Sequence, residues 1–258
     1  MNDTMHNEAQ PPSLEHRDSV SRPHSPKPDV AELKQTVVCV FCGSSQGKSP
    51  VHAEAARSLG HALHKHNIRL VYGAGTTGLM GEVARTLVSL SGPEAVHGVI
   101  PEALIKFEQA NRETGKSSAP NTGSSGCSQV DESIYGRTTV VPNMHVRKQM
   151  MAKEVMEGGP GSGFIALTGG LGTLEELAEM ATWNQLGIHA RGVVVFNVEG
   201  FWDLLLEWIK NTVASGFVSP GNADIVAEAR SAEDCILALK DYKLAPGRLN
   251  LDVSRWQY

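Results

Sequence analysis

Short apolar runs alternate along most of this chain with longer stretches in which apolar residues recur every three or four positions. The short runs, rich in β-branched residues, read as strands: Val37 to Cys42, Arg69 to Tyr72, Val96 to Ile100, Thr138 to Val141, Phe164 to Leu167, Gly192 to Asn197 and Asp224 to Val226. The stretches with helical spacing are Val51 to His66, Leu79 to Leu90, Met144 to Glu157, Leu174 to Leu186, Phe201 to Ala214 and Ala232 to Asp241. In the first, Ala55, Leu59 and Leu63 share a face; in the fifth, Trp202, Leu205, Leu206 and Ile209 do. This alternation predicts an α/β fold: a Rossmann-like, doubly wound parallel sheet with helices on both faces, in a single domain.

Two segments depart from that rhythm. Residues 1–35 hold five prolines, several charges and few apolar residues, and such a segment buries too little surface to offset its ordering entropy. It is expected to be a disordered tail, and it has neither the apolar core of a secretory signal nor the composition of a transit peptide. Thr114 to Ser128 is rich in Ser, Gly and Thr and reads as an insertion. The folded domain is expected over 36–242, with 243–258 as a C-terminal tail.

Composition narrows the function classes. No apolar run reaches membrane-spanning length. The formal net charge of −5 provides no general attraction to nucleic acid. Cys39 and Cys42 have C-x-x-C spacing, but Cys39 lies inside a strand pattern and no second pair completes a zinc site. They read as small buried hydrophobes in a reducing, cytoplasmic protein.

The glycine turns carry the chemistry. Thr168-Gly169-Gly170-Leu171-Gly172-Thr173-Leu174-Glu175-Glu176 links an apolar strand to a helix. Such a turn leaves N–H groups and the positive helix end facing an anion, most often phosphate. Thr173 with Glu176 also fits a capping box, with Thr173 as N-cap and Glu176 three residues on. Local spacing favours the cap over a catalytic carboxylate. Gly73, Gly75 and Gly78 form G-x-G-x-x-G between a strand and a helix. That signal is weak, because it follows the second strand and only Glu102 is placed to hold a ribose. Tight helix–strand packing at these glycines competes with binding of a phosphate or ribose. Arg147 and Lys148 stand in the first turns of a helix behind Asn143, a plausible N-cap. Cations are mildly unfavourable there, by a few tenths of a kcal/mol each, so a phosphate or a nearby carboxylate is expected to face them. In a parallel sheet ligands sit beyond the carboxyl ends of the strands. That rule places Gly43, Ser44, Ser45, Gly73 to Gly78, Arg147, Lys148 and Gly169 to Glu176 on one rim.

Met144-His-Val-Arg147-Lys148, followed by Gly169-Gly170-Leu-Gly172-Thr173-Leu-Glu175-Glu176, resembles the Lonely Guy family of cytokinin riboside 5′-monophosphate phosphoribohydrolases, once labelled lysine decarboxylases. The family pattern is M-x-x-R-K and then P-G-G-x-G-T-x-x-E. Phe41-Cys-Gly43-Ser44-Ser45, Tyr72-Gly-Ala-Gly75, Gly78-Leu-Met-Gly81 and Thr182 to His189 are similar as well. The likeness runs from about Val37 to Val226. Thr168 stands where the family has proline, and the Ser/Gly segment is longer than the family's.

The resemblance implies hydrolysis of the N-glycosidic bond of an N6-substituted AMP to free base and ribose 5-phosphate. It implies Arg147 and Glu176 as catalytic residues. Its implied substrate contacts are Gly43, Ser44, Gly75, Glu108, Met144, Lys148, Gly169, Gly170, Leu171, Gly172, Thr173, Leu174, Glu175 and Thr182. Glu108 is carried over from its place seven residues after Pro101. Neither metal nor cofactor is implied; the partners are a small nucleotide monophosphate and a second copy of the chain in a homodimer. Trp183 and Leu186 are candidates equally for apolar contact there and for the core. Two other readings stay open: a nucleosidase for AMP or nucleotide monophosphates in general, and a nucleotide-binding module without catalysis. The decarboxylase label fits worst. It requires a Schiff-base lysine, and the only motif lysine is Lys148.

Overall fold

The computed structural model of the chain describes residues 34–105 and 130–249, with residues 1 and 251. Most of the expected N-terminal tail, the Ser/Gly segment with Cys127, Glu108 and half of the C-terminal tail lie outside the described residues.

The strands are β1 (Val37–Phe41), β2 (Arg69–Tyr72), β3 (Val96–Pro101), β4 (Arg137–Val141), β5 (Gly163–Ala166), β6 (Gly192–Phe196) and β7 (Val226–Ala229). They form one sheet in the order β4-β3-β2-β1-β5-β6-β7, with every neighbouring pair parallel. The helices are α1 (Pro50–Lys65), α2 (Gly78–Ser91), α3 (Glu132–Tyr135), α4 (Met144–Glu157), α5 (Leu171–Leu186), α6 (Asp203–Ala214) and α7 (Ala232–Lys240). Residues 102–105 are also helical.

Alternation along the strands divides the core in two. Val38, Val40, Leu70, Tyr72, Ile165 and Val194 face α1, α2 and α7, where Leu59, Leu63, Leu87 and Ile236 meet them. Val37, Cys39, Phe41, Val71, Phe164 and Val195 face the other layer, against Met151 and Val155 of α4 and Leu177 and Met180 of α5. Central strands buried on both faces read as continuous apolar runs, which is why periodicity located them. Cys39 and Cys42 are buried free thiols that pack as small hydrophobes, as expected. No described helix is long and apolar enough to cross a membrane.

Three elements moved by more than one residue. The last strand is Val226–Ala229, not Asp224 to Val226. Its Glu228 reaches sideways to Asn197 and Arg230, so a polar residue interrupts the apolar signal. Helix α6 starts at Asp203, with Trp202 as its cap, and covers the core thinly: Trp202 is buried, whereas Leu205, Leu206 and Ile209 are only half-buried. The largest change is at α5, which begins at Leu171 and not at Leu174.

The chain reverses direction across the sheet at β1. From there β2, β3 and β4 extend one way, while β5, β6 and β7 extend the other. The turns after β1 and β5 therefore diverge and leave a crevice between them, the place where sheets of this kind bind ligands.

Candidate active site

Backbone bonds stitch the crevice together. Gly43 N–H donates to Thr168 O at 3.0 Å, and Leu167 N–H donates to Phe41 O at 2.9 Å. Leu79 N–H donates to Gly43 O at 3.0 Å, which brings the start of α2 onto the same turn. Gly78 lies at φ +60, and a Cβ there would fall 2.3 Å from the Ser44 carbonyl carbon. Only glycine combines that backbone with that approach.

The start of α5 decides what the glycine turn can do. Gly170 is the N-cap, and no side chain caps the helix. Thr173 is therefore the third helical residue and not the cap, which overturns the capping box. Its hydroxyl folds back over Gly169 instead, where a Cβ would come within 2.1 Å of it. With no side chain spent on them, the first N–H groups of α5 remain for an anion. Glu176 then sits almost two turns into the helix and points inward.

It meets Arg147. Asn143 caps α4 as expected, accepting from Val146 N–H at 3.0 Å. One turn on, the Arg147 side chain enters the protein. Its Nε donates to Val99 O at 3.0 Å, and its Nη1 lies 3.4 Å from Glu176 Oε1. Both side chains are nearly buried, 10% and 11% exposed, so little water screens the pair. Burial pushes the Glu176 carboxyl up to about 7, against the opposing pull of Arg147. The same burial, reinforced by the Glu176 charge, pushes the neighbouring Cys42 thiol far up. A carboxyl near neutrality beside a guanidinium is a group that can accept or hold a proton at working pH.

Gly73 makes this possible. A Cβ at Gly73 would lie 1.6 Å from Arg147 Nη2 and 2.8 Å from its Cζ. The glycine that resembled part of a dinucleotide fingerprint gives the arginine its room. Glu102, the ribose candidate in that fingerprint, is exposed at the start of the residues after β3.

Lys148 does not add free charge to the cavity. It pairs with Glu175 and, at 3.3 Å, with Glu179, joining α4 to α5. Carboxylates thus answer both cations in the first turns of α4.

A cavity of about 400 Å³ opens over the pair. It brings together Gly43, Ser44, Gly75, Met144, Arg147, Gly170 to Thr173, Glu175 and Glu176. Gly169 and Leu174 lie just off this lining, and Lys148 braces it from behind. Thr182 is exposed three turns along α5, away from the cavity within this chain. Sequence reasoning did not select Cys42, Met80, Ile100 or Leu104, which also line it. Ile100 could have been found from its place at the carboxyl end of β3. The others present only apolar or thiol side chains with no local signature.

A family model described as "possible lysine decarboxylase" matches residues 80–239. The Arabidopsis thaliana cytokinin riboside 5′-monophosphate phosphoribohydrolase LOG3 is 40% identical over 205 residues, covering 80% of this chain and 82% of that protein. This chain belongs to the LOG family. A bifunctional cytokinin biosynthesis protein of Fusarium pseudograminearum is 50% identical over 210 residues, which are 81% of this chain; the match spans 41% of that longer protein. Among solved structures, a molybdenum cofactor carrier protein from Chlamydomonas reinhardtii superposes with a TM-score of 0.52 at 17% identity, covering 80% of this chain and 97% of that one. A molybdenum cofactor binding protein from Rippkaea orientalis gives 0.51 at 18%, covering 80% and 96%. At that identity the likeness concerns the fold alone. The LOG relatives share sequence as well, and they bear directly on chemistry.

Proposed function

We propose that this LOG-family chain hydrolyses the N-glycosidic bond of an N6-substituted adenosine 5′-monophosphate, releasing the free cytokinin base and ribose 5-phosphate. The observation that carries this reading is the buried Arg147–Glu176 pair set beside the uncapped start of α5. The relatives named for this reaction add weight to it.

The 5′-phosphate lies on the N–H groups of Gly170 to Thr173. That places the ribose over Glu176. As the bond from C1′ to the base nitrogen stretches, positive charge builds on the ribose ring, and the Glu176 carboxylate stabilises it. Water forms the new bond to C1′ and passes a proton to Glu176. The base leaves with the electron pair of the broken bond and takes up a proton. Arg147, held by Val99 O, keeps the carboxylate in position and faces the phosphate and ribose. Lys148 fixes α5 against α4 through Glu175 and Glu179.

Glu176→Gln tests this assignment, since it keeps size and hydrogen bonding but removes the charge. Turnover should fall by orders of magnitude with an unchanged circular dichroism spectrum. Activity within threefold of the parent would remove Glu176 from the chemistry.

The assembly belongs to the same reading. Leu204 and Trp208 on α6, with Phe217 beyond it, are 85%, 60% and 85% exposed. Large apolar side chains left so exposed are a reason to expect a second copy to cover them. Trp183 is half-buried and packs against the core, the other place the sequence allowed for it. Buried free thiols at Cys39, Cys42 and Cys235 fit a cytoplasmic protein.

A further inference from the structure

Met144 is the first residue of α4; it lines the candidate cavity and is 41% exposed. Its Sδ accepts from Arg147 Nη1 at 3.9 Å. The same nitrogen lies 3.4 Å from Glu176 Oε1. One guanidinium nitrogen is thus shared between a carboxylate and a thioether, and the thioether is the weak acceptor of the two. The rest of the guanidinium is committed elsewhere: Nε donates to Val99 O, and Nη2 fills the room that Gly73 leaves. Nη1 is therefore the atom through which Met144 acts on the Arg147–Glu176 pair.

The sulfur atoms around this site differ in what an oxidant can reach. Of the methionines from α2 to α5, Met144 is the most exposed; Met80, Met150 and Met156 are half-buried, and Met151 and Met180 are 2% exposed. Peroxide reacts with a cysteine as its thiolate. Burial pushes the Cys39, Cys42 and Cys235 thiols far up, so they stay protonated, including Cys42 on the same cavity. A thioether has no proton to lose, and its exposure decides the reaction.

We propose that Met144 is an oxidation site that controls the Arg147–Glu176 pair, with a hydroperoxide as the oxidant. The terminal peroxide oxygen forms a bond to Sδ as the O–O bond breaks. The thioether is oxidised to a sulfoxide, and the peroxide is reduced to water or an alcohol. The sulfoxide is polar where the thioether was not. Its oxygen stands one bond beyond Sδ, within hydrogen-bonding reach of Nη1, and competes with Glu176 for the guanidinium. Reduction by a thiol-dependent sulfoxide reductase returns the oxygen as water and oxidises two thiols to a disulfide. The loss of turnover rests on the proposed reaction; the effect on the ionisation of Glu176 does not.

The test is treatment of the full chain with hydrogen peroxide, with the sulfoxides mapped by peptide mass spectrometry. Met144 should oxidise ahead of Met151 and Met180. As it does, kcat/KM for release of base from N6-isopentenyl-AMP should fall by about tenfold or more, and sulfoxide reductase with a thiol should restore it. Each variant is read against its own untreated activity. Met144→Leu should stay within twofold after the same treatment, whereas Met80→Leu and Cys127→Ser should lose activity as the parent does.

A purely steric effect of the added oxygen would leave the ionisation of Glu176 alone, so stability against pH is the discriminating readout. Glu176 faces Arg147 and Lys148 from α4, Glu175 and Glu179 on its own helix, and the protonated thiols of Cys39 and Cys42. Burial raises its carboxyl to about 7, and Arg147 exerts the larger of the two opposing pulls. With Arg147 drawn off, the carboxyl rises further. In denaturant titrations the decline in stability with pH should then run to higher pH in the oxidised parent, and not in oxidised Met144→Leu or Glu176→Gln. No oxidation at Met144, equal losses in parent and Met144→Leu, or complete oxidation without this shift overturns the proposal. So does complete oxidation with kcat/KM within twofold of the untreated chain, an outcome that leaves the proposed reaction standing. The shift without release of base from any substrate keeps the role of Met144 and removes the reaction.

Discussion

Gly73→Ala isolates the role of Arg147 without touching it. The added methyl carbon would sit 1.6 Å from Arg147 Nη2, whereas ordinary contact begins near 3.4 Å. The guanidinium must therefore retreat by about 1.8 Å, the difference of those two distances. Its neighbours leave it no compliant direction, because Nε is tied to Val99 O and Nη1 faces Glu176. A misplacement of about 1 Å in a positioning group reduces turnover by roughly a hundredfold, so kcat/KM for release of base from N6-isopentenyl-AMP should fall at least that far. The fold should lose only about 1–3 kcal/mol, the usual range for overpacking. The decisive form is a double-mutant cycle with Arg147→Ala, followed by chromatography of the released base. If the alanine acts through the arginine, adding it to Arg147→Ala should reduce activity no further. Independent, multiplying losses would refute the reasoning, as would Gly73→Ala retaining more than a third of parent activity.

Other outcomes follow from the same geometry. In the proposed reaction the carboxylate form of Glu176 is the active one, and burial raises its carboxyl to about 7. kcat/KM should therefore rise with pH through about 7, and that limb should vanish from the residual activity of Glu176→Gln. For stability the sign is the reverse: the folded state holds the Glu176 proton over the window from 4.5 to about 7, so this group's contribution declines as pH rises through it. Denaturant titrations at pH 5 and pH 8 should show the decline in the parent and not in Glu176→Gln. Arg191 donates to the carbonyls of Met156, Gly158 and Gly159 at 2.6, 2.6 and 3.1 Å, closing the carboxyl end of α4. Arg191→Ala should destabilise the fold by about 2–4 kcal/mol in urea titration and leave kcat within a few-fold, since Arg147 is at the other end of that helix. Trp208→Asp should shift sedimentation from dimer to monomer; an unchanged sedimentation coefficient would remove α6 from the proposed interface.

Local pattern and glycine chemistry made the sheet, the doubly wound topology and the rim of functional residues legible. Helix α4 was readable to its ends, because Asn143 is a true cap and Gly158 a stop. The start of α5 was misread for a physical reason. Thr173 and Glu176 have the spacing of a capping box, yet the two glycines before Leu171 let the helix begin earlier with its N–H groups uncovered. The feature that hid the boundary is the one that suits an anion. The pairing of Lys148 with Glu179, 31 residues away, leaves no local trace. The same is true of the room that Gly73 provides for Arg147, since a close approach between segments shows only once the fold has brought them together. Thin burial on α6 is a further case, because periodicity reports which residues share a face and not what covers it.

The central claim is that the crevice between β1 and β5 breaks an N-glycosidic bond in a nucleotide whose 5′-phosphate it holds. The most direct measurement is incubation of the purified full chain with N6-isopentenyl-AMP, AMP and the dephosphorylated riboside in separate reactions, with chromatography for free base. Release from the first, little from AMP and none from the riboside is the predicted result. Equal release from AMP would make this a broader nucleotide hydrolase, and no release from any of the three would contradict the account.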